Sequence, residues 1–553
     1  MNNLRMILWL LFFTLLWVSY TTYLEDISLA NNQDLPTTNN TPAINEDYIP
    51  SFGEQSMSSS SEQETIASSI NNINNDILYT HETDDLIISF NYSGDLVSAA
   101  LKQFPIQKNN PSELVQLLNQ NENTRYVIQS GIRTDGFTSE PNHLSQFSFQ
   151  GANSLGQDYA EITFLNEDLE RIATKTYLVP NSGFEISTTL SLMNLSGNNP
   201  RVMPYAQIRR ANTPEERSFM NVNSYSYWGP SWYVNDRFER VSFDDLRDRP
   251  EDYNVTDVLG GWVAALEHHF LVSLIPQSDR SGFRAYVQDN DYILTNTGQT
   301  TSLMSQEAVI YSATLFIGPK IQDQLEAIDP QLDLAVDYGL LSFIAQPLFW
   351  VMRWIYEFVG NWGYAIIIVT LLIKTAFYRL TASAGKSMAK MRTLQPRLKS
   401  LQERFKDDRQ GLSRAMMDLY KKEKINPAAG CLPLFIQMPF FFAFYWVLIE
   451  SVELRQQPFI FWVDDLSTRD PFFILPIINC IAMVLQMRLQ PTPADPTQAK
   501  VMKIMPVAFS AMFAFFPSGL VLYWTTNALF SIIQQWRINK IIGGNTPPAS
   551  LGS

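Results

Sequence analysis

The sequence predicts an α + β protein built from two unlike halves. One is a large extracytoplasmic β-sandwich; the other is a six-span α-helical membrane bundle carrying a cytoplasmic helical hairpin. Three observations lead there. Charge is split, because residues 25–340 carry 43 Asp and Glu against 17 Lys and Arg, whereas the rest of the 553 residues carry 12 against 23. The acidic half alternates apolar and polar residues with the period of strands, and the basic half is a series of long apolar runs. An acidic half with no basic stripe argues against a nucleic-acid-binding protein. Cys431 and Cys480, the two cysteines, both lie in apolar runs, so there is no disulfide framework and no CxxC motif.

Taken in order, residues 6–24 form an uncharged run of 19 behind Arg5. At 1.5 Å per residue this reaches about 28 Å, close to the hydrocarbon thickness of a bilayer. The run is longer than a signal-peptide core and lacks a small-x-small cleavage site, so 1–24 reads as an uncleaved anchor. Residues 25–80 are rich in Asn, Ser, Thr and Gln and read as a linker, having too few bulky side chains to offset ordering entropy. Across 81–337 the strand period takes over. Phe184, Ile186, Leu190 and Leu192 share one parity, as do Val309, Tyr311, Leu315 and Ile317, with a turn expected at 194–200. That is the pattern of a sandwich. His268 and His269 on a strand would face opposite ways and share no site.

Residues 338–360 read as an amphipathic helix lying in the membrane interface. Gln346, Trp350, Arg353 and Glu357 form one face, Leu348, Val351, Ile355 and Phe358 lie on the others, and Pro347 is expected near the first turn. The runs 361–380, 430–449, 472–489, 501–516 and 519–538 then give five spans within a 361–540 core, ahead of a short tail, 541–553. Pro517 and Gly519 suit a tight turn between the last two. Segment 381–426 carries 12 Lys and Arg against five acids and is assigned to the cytoplasm; the acidic 450–471 is assigned outside. Both termini inside and a sandwich outside require an even number of spans, and six fits. Within 381–426, Met388, Met391, Leu394, Leu398, Leu401 and Phe405 make a helical stripe; Asp407, Asp408 and Gly411 interrupt it before Leu412, Met416, Leu419 and Tyr420 resume. This predicts a helical hairpin whose charge would attract anionic lipid or ribosomal RNA.

Enzyme signatures are lacking: there is no P-loop, GxSxG, HExxH or metal-spaced Cys/His cluster, and all four histidines fall in the sandwich half. No catalytic residue, cofactor or metal is therefore expected. The informative residue is Lys374, about six residues from the cytoplasmic end of its run. A lysine at that depth is costly and points to function; the competing reading is snorkelling of its long stem. Thr370 and Tyr378 at i−4 and i+4 extend a polar stripe. Gln437, Asn479, Gln486, Tyr523, Thr526 and Asn527 add polar groups on other spans, and Trp524 lies beside them. Together they suggest a wet cavity open to the cytoplasm.

The stretches FVGNWGYAIIIVTLLIK, SMAKMRTLQPRLK, NPAAGCLPLFIQMPFF, SVELRQQPFIFWVDDLS and FPSGLVLYW, in that order, strongly resemble the YidC membrane protein insertases of Gram-negative bacteria. The mitochondrial and chloroplast Oxa and Alb proteins are similar in their core. The resemblance is dense over 340–540 and looser in the sandwich half, through YWGPSWY and GGWVAALEHHF. It implies a supersandwich-like periplasmic domain and an inner-membrane protein that inserts newly made membrane proteins, alone or beside the Sec translocon and its accessory subunits, with chaperone-like help in folding. Nascent membrane proteins, the translating ribosome and membrane lipids are the implied partners. It also implies a hydrophilic groove holding one cation, usually arginine, whose position Lys374 occupies; Thr370, Tyr378, Gln437, Asn479, Tyr523, Trp524 and Thr526 are the expected substrate-contacting residues around it. Lysine keeps the charge but loses the bidentate fork. Arg379 stands where the motif commonly has proline, and the tail after Lys540 has no further basic residue. A small-solute transporter is the alternative, but early and late spans show no internal repeat. Carbohydrate chemistry on the sandwich is weaker still, since paired acids such as Glu215 and Glu216 are simply adjacent in the chain.

Overall fold

The computed structural model describes residues 49–50, 76–213, 226–278, 280–336, 338–405, 408–423, 432–489 and 496–544. The anchor at 1–24, most of the linker, Glu215 and Glu216, and the end of the tail lie outside these residues. The chain divides into two compact units: a sandwich that ends at Gly339 and also takes in Ile449–Arg455, and a helical unit formed by Leu340–Leu448 and the chain from Gln456 onward.

The sandwich contains a ten-stranded and a nine-stranded sheet among the described residues. The first strand, Ile77–Glu82, begins inside the stretch assigned to the linker, because its backbone pairs with Leu86–Asn91. In one sheet Arg201–Ala211 runs antiparallel between Tyr126–Asp135 and Asp291–Thr297. In the other, Ala308–Pro319 lies between Phe270–Pro276 and Glu185–Asn194, with Leu190 opposite Tyr311 and Leu192 opposite Val309. Phe184, Ile186, Leu190, Leu192, Tyr311, Leu315 and Ile317 are buried on this pleat. Strand Arg171–Pro180 alternates strictly, and its buried parity includes a charged residue, Lys175. Its Nζ donates to Asp95 Oδ1 at 2.6 Å and lies 4.7 Å from the centre of the Phe147 ring. The same Asp95 oxygen accepts from the Ser130 amide at 3.1 Å.

His268 and His269 correct the sequence reading. They lie in the turn between Trp262–Leu266 and Phe270–Pro276 rather than on a strand, so the alternation of a pleat does not apply. Their rings stack with centroids 3.7 Å apart, and His268 Nε2 bonds the Ile449 carbonyl at 2.8 Å. Burial pushes His268 down to about 3 and His269 well below the ordinary value. Ile449–Arg455 is held in the sandwich unit by further bonds. Ser226 Oγ donates to Glu450 Oε1 at 2.6 Å, and Arg455 Nη2 donates to the Pro105 carbonyl at 2.7 Å.

Two short helices, α1 (Phe243–Asp248) and α2 (Gln322–Ile328), belong to the sandwich. The helical unit opens with α3 (Ser342–Val359) and α4 (Trp362–Ala376). Helix α3 begins at Ser342, inside the expected 338–360, and Pro347 sits in its second turn, not its first. Leu348 and Ile355 are buried, but Phe358 is exposed along with Trp350 and Trp354, so the exposed face is largely aromatic. Gly360, at φ +64°, adopts the left-handed conformation that ends α3, and its N–H reaches the Tyr356 carbonyl. Asn361 then caps α4, its Oδ1 accepting from the Tyr364 amide while its Nδ2 donates to the Phe459 carbonyl at 3.1 Å. A Cβ at Gly363 would fall within the Phe459 ring, which is why this position carries none.

The run 361–380 is not one straight helix. Helix α4 ends at Ala376 and α5 (Tyr378–Thr393) leaves at 69°. Thr375 Oγ1 bonds back to the Leu371 carbonyl and Thr381 Oγ1 to the Phe377 carbonyl, a pattern that bends helices. Helices α6 (Gln395–Arg404) and α7 (Arg409–Lys422) follow and pack on one another. Gly411 does not interrupt α7; it lies in its first turn, where Asp408 Oδ1 caps the Gln410 and Gly411 amides. Then come α8 (Leu432–Glu450), α9 (Ile474–Arg488), α10 (Pro496–Phe513) and α11 (Ser518–Gly544). Helix α10 starts before and stops short of the expected 501–516, since Pro496 suits a first turn and 514–517 form the connection to α11. The first amides of α11 are satisfied by Thr468 and Leu466 carbonyls, at 2.7 and 2.9 Å. Helix α11 packs against α4, α5 and α9, and α10 packs on α9. Among the described residues no single helix is long and apolar enough to cross a membrane; α4 and α5 pass that test together, as a bent pair.

Candidate functional site

The site is built on the last turns of α4. Thr370 and Lys374 are both buried, one turn apart, and Thr370 Oγ1 spends its proton on the Ile366 carbonyl of its own helix at 2.6 Å. The two line a small pocket together with Ile373 and Phe377, Thr381 from α5, Gln437 and Phe440 from α8, and Tyr523 and Asn527 from α11. Three separate stretches of chain thus converge on one small cavity.

Within it the polar groups are sparsely satisfied. Lys374 Nζ donates to Ser531 Oγ at 2.9 Å, and no carboxylate among the described residues pairs with it. Ser531 Oγ in turn donates to the Asn527 carbonyl at 2.8 Å. Gln437 Nε2 makes a long bond, 3.4 Å, to the Tyr523 hydroxyl, whose ring stacks on Phe444 at 4.5 Å. Asn527 Oδ1 is buried with no hydrogen-bond partner among the described residues. One turn beyond, Gln534 Nε2 donates to Thr381 Oγ1 at 2.9 Å and closes that end. A cation whose one partner among the described residues is a neutral hydroxyl keeps its full charge available to an incoming anion, and a pocket lined by three aromatic rings lowers the screening it feels.

Of the residues expected around Lys374, the structure brings Thr370, Gln437 and Tyr523 into the pocket lining. Tyr378 is not among them. It lies beyond the 69° bend, 39% exposed, and the i+4 argument fails because the helix does not continue through Phe377. Asn479 is fully buried on α9 with its Nδ2 3.6 Å from Met483 sulfur, away from the lining. Trp524 stands on the apolar side of α11, 4.9 Å from the Phe441 ring and 5.3 Å from Phe513. Thr526 is half-buried and outside the lining. Ser531, Thr381 and Gln534 were not singled out from the sequence. A signal for the first existed: Tyr523, Asn527 and Ser531 recur every four residues, one stripe of α11.

Two family models match the chain: the 60Kd inner membrane protein over residues 354–545 and the YidC periplasmic domain over 79–351. The membrane protein insertase YidC of Thioalkalivibrio sulfidiphilus is 41% identical over 465 residues, covering 81% of this chain and 82% of the relative. The protein of the same name from Nitrosococcus oceani is 40% identical over 470 residues, covering 83% and 85%. Among solved structures, an active YidC insertase with its first transmembrane domain resolved aligns with a TM-score of 0.39 at 18% identity, covering 83% of this chain and 93% of that one.

Proposed function

This chain belongs to the YidC family of membrane protein insertases, and from that premise we propose how its own residues carry out insertion. The pocket between α4, α8 and α11 is the cytoplasm-facing groove. The acidic or polar outer tail of a client enters it and is attracted by Lys374. The client's apolar span meanwhile leans on the rings of α8 and α11, including Phe441, Phe444, Tyr523 and Trp524, and slides between them into lipid. The observation that carries this reading is the buried Lys374 ammonium, held among the described residues by a hydroxyl and no carboxylate.

The driving force is transfer of the client's span out of water, about 25 cal/mol per Å² of apolar surface. Twenty apolar residues entering lipid gain more than a short tail loses, provided that tail meets water and one countercharge on the way. Attraction has to stay weak, because a tail held as tightly as a buried ion pair would not leave.

Residues 6–24 together with α4, α8, α9, α10 and α11 are the six spans, with both termini and the α5–α7 segment in the cytoplasm and the sandwich in the periplasm. Charge parity supports that topology. The basic α5–α7 segment approaches anionic lipid or the translating ribosome. The protein works alone or beside the Sec translocon and its accessory subunits, and the same apolar walls serve folding of clients as a chaperone does. Transport of small solutes has no observation in its favour that insertion lacks.

The test is insertion of paired clients that differ only in their outer tails, acidic in one and neutral in the other. Lys374→Arg is expected to support both. Lys374→Ala should slow the acidic-tailed client more than the neutral one, and Lys374→Glu should abolish its insertion. Wild-type insertion of the acidic-tailed client by Lys374→Glu sinks the electrostatic part of the proposal.

A further inference from the structure

We propose that Ser531 is a positioning residue for the groove cation: it holds the Lys374 ammonium at the pocket without cancelling its charge. The inference rests on the groove reading above and deepens it. Lysine is a point charge on a flexible stem, with three donors and no planar fork to orient it. Left to itself, that stem would snorkel toward the cytoplasmic interface. Something must fix the ammonium, and the choice of acceptor decides whether it stays useful.

Ser531 supplies an acceptor of the right kind. Its hydroxyl proton is committed to the Asn527 carbonyl at 2.8 Å, so the oxygen presents its remaining lone pairs to Lys374 Nζ at 2.9 Å. The hydroxyl therefore acts toward the ammonium as an acceptor only. A carboxylate at this place would bind the ammonium more tightly and neutralise it; an alkyl side chain would release it. The geometry is backed by the rest of α11. Gln534 Nε2 donates to Thr381 Oγ1 at 2.9 Å and Gln535 Nε2 to the Gly385 carbonyl at 3.4 Å, so polar bonds tie α11 to α5 just below the lysine. Asn539 Nδ2 continues to the Leu489 carbonyl at 3.2 Å. Ser531 is the member of this series that meets a charge, and the Ala382, Ala389 and Ile538 cluster packs α5 on α11 beside the others. The ladder keeps α11 in register, and its top rung sets where the charge stands.

The two sides of this bond make opposite predictions for a carboxylate and its neutral isostere. Ser531→Asp should pair with Lys374 and reduce insertion of the acidic-tailed client by roughly tenfold or more, as expected for a close countercharge at low effective dielectric, while the neutral-tailed client inserts as before. Ser531→Asn, similar in shape and uncharged, should keep both clients. Ser531→Thr should behave as wild type. Full-length protein level in the membrane and protease resistance are recorded for each variant beside the insertion rates. Equal loss of both clients in Ser531→Asp would mean that the residue only holds the helices together, and no loss at all would mean that it does not face the working cation; either overturns the inference. Lys374→Glu run in parallel separates the two levels. If it spares the acidic-tailed client, the groove reading itself fails; if it blocks that client while Ser531→Asp does not, only the role of Ser531 fails.

Discussion

Two of the buried lysines of this chain make opposite use of the same side chain. In the sandwich, Lys175 is 1% exposed and bonded at 2.6 Å to Asp95, itself 1% exposed. In the helical unit, Lys374 is 8% exposed and meets a serine hydroxyl. A buried charge with a buried countercharge is a closed pair, and opening it leaves an uncompensated ion in a medium of low dielectric. A buried charge without one is held at a cost in the resting protein and is free to act on something that arrives. Burial alone therefore does not mark a functional lysine. What separates the two is the countercharge, present for Lys175 and absent among the described residues for Lys374.

The sharpest way to break this contrast is to remove one member of the closed pair. Lys175→Met leaves the buried Asp95 carboxylate without its countercharge, and should destabilise the sandwich by about 3–5 kcal/mol, read from denaturant unfolding of the full-length protein. Burial already raises the Asp95 carboxyl, and Lys175 opposes that shift, so loss of the lysine leaves burial to act alone.

Acidification gives a second effect of comparable size, and its histidine part falls in the sandwich, where all four histidines lie. Burial pushes His143 down to about 3, with Lys175 and Arg209 adding to the shift, and His268 is likewise down to about 3. Their folded values lie below the unfolded one near 6.5, so the unfolded chain binds more protons. Stability is then complete above about pH 6.5 and falls as pH drops toward 3, by up to about 1.4 kcal/mol per pH unit for each such histidine. His143→Gln should flatten the slope of the unfolding midpoint against pH; an unchanged slope would show that His143 titrates alike in both states.

The smallest effect tests an exposed charge instead of a buried one. Asp408→Ala removes the cap from the Gln410 and Gly411 amides of α7 and should cost about 1 kcal/mol. Faster hydrogen exchange at those two amides, with client insertion unaltered, is the expected result.

Much of this was legible beforehand, and the exceptions have identifiable causes. The pleat of the sandwich showed in the parity of Phe184, Ile186, Leu190 and Leu192, because strand burial repeats every two residues whatever the partner strand is. Lys374 stood out because a charge inside an apolar run is costly wherever the run goes. The histidine pair departs from the strand pattern because two residues of a tight turn lack the alternation of a strand. The i+4 relation that points Tyr378 to the site is removed by the bend after Ala376. Asn479 was chosen by its depth along α9, yet depth says nothing about which way a helix is turned about its axis.

By itself, the sequence determined the two halves, the apolar runs, the acidic and basic sides and the presence of one misplaced cation, all of which are local in period or composition. Only the tertiary structure decided that Thr370, Lys374, Gln437 and Tyr523 share one pocket, that Ser531 meets the ammonium, and that Lys175 has a carboxylate while Lys374 has none among the described residues. Those facts depend on the rotation of each helix about its axis, on the 69° bend, and on which strand lies across the sandwich from which. They follow from how distant surfaces pack, and neither residue spacing nor local charge carries that information.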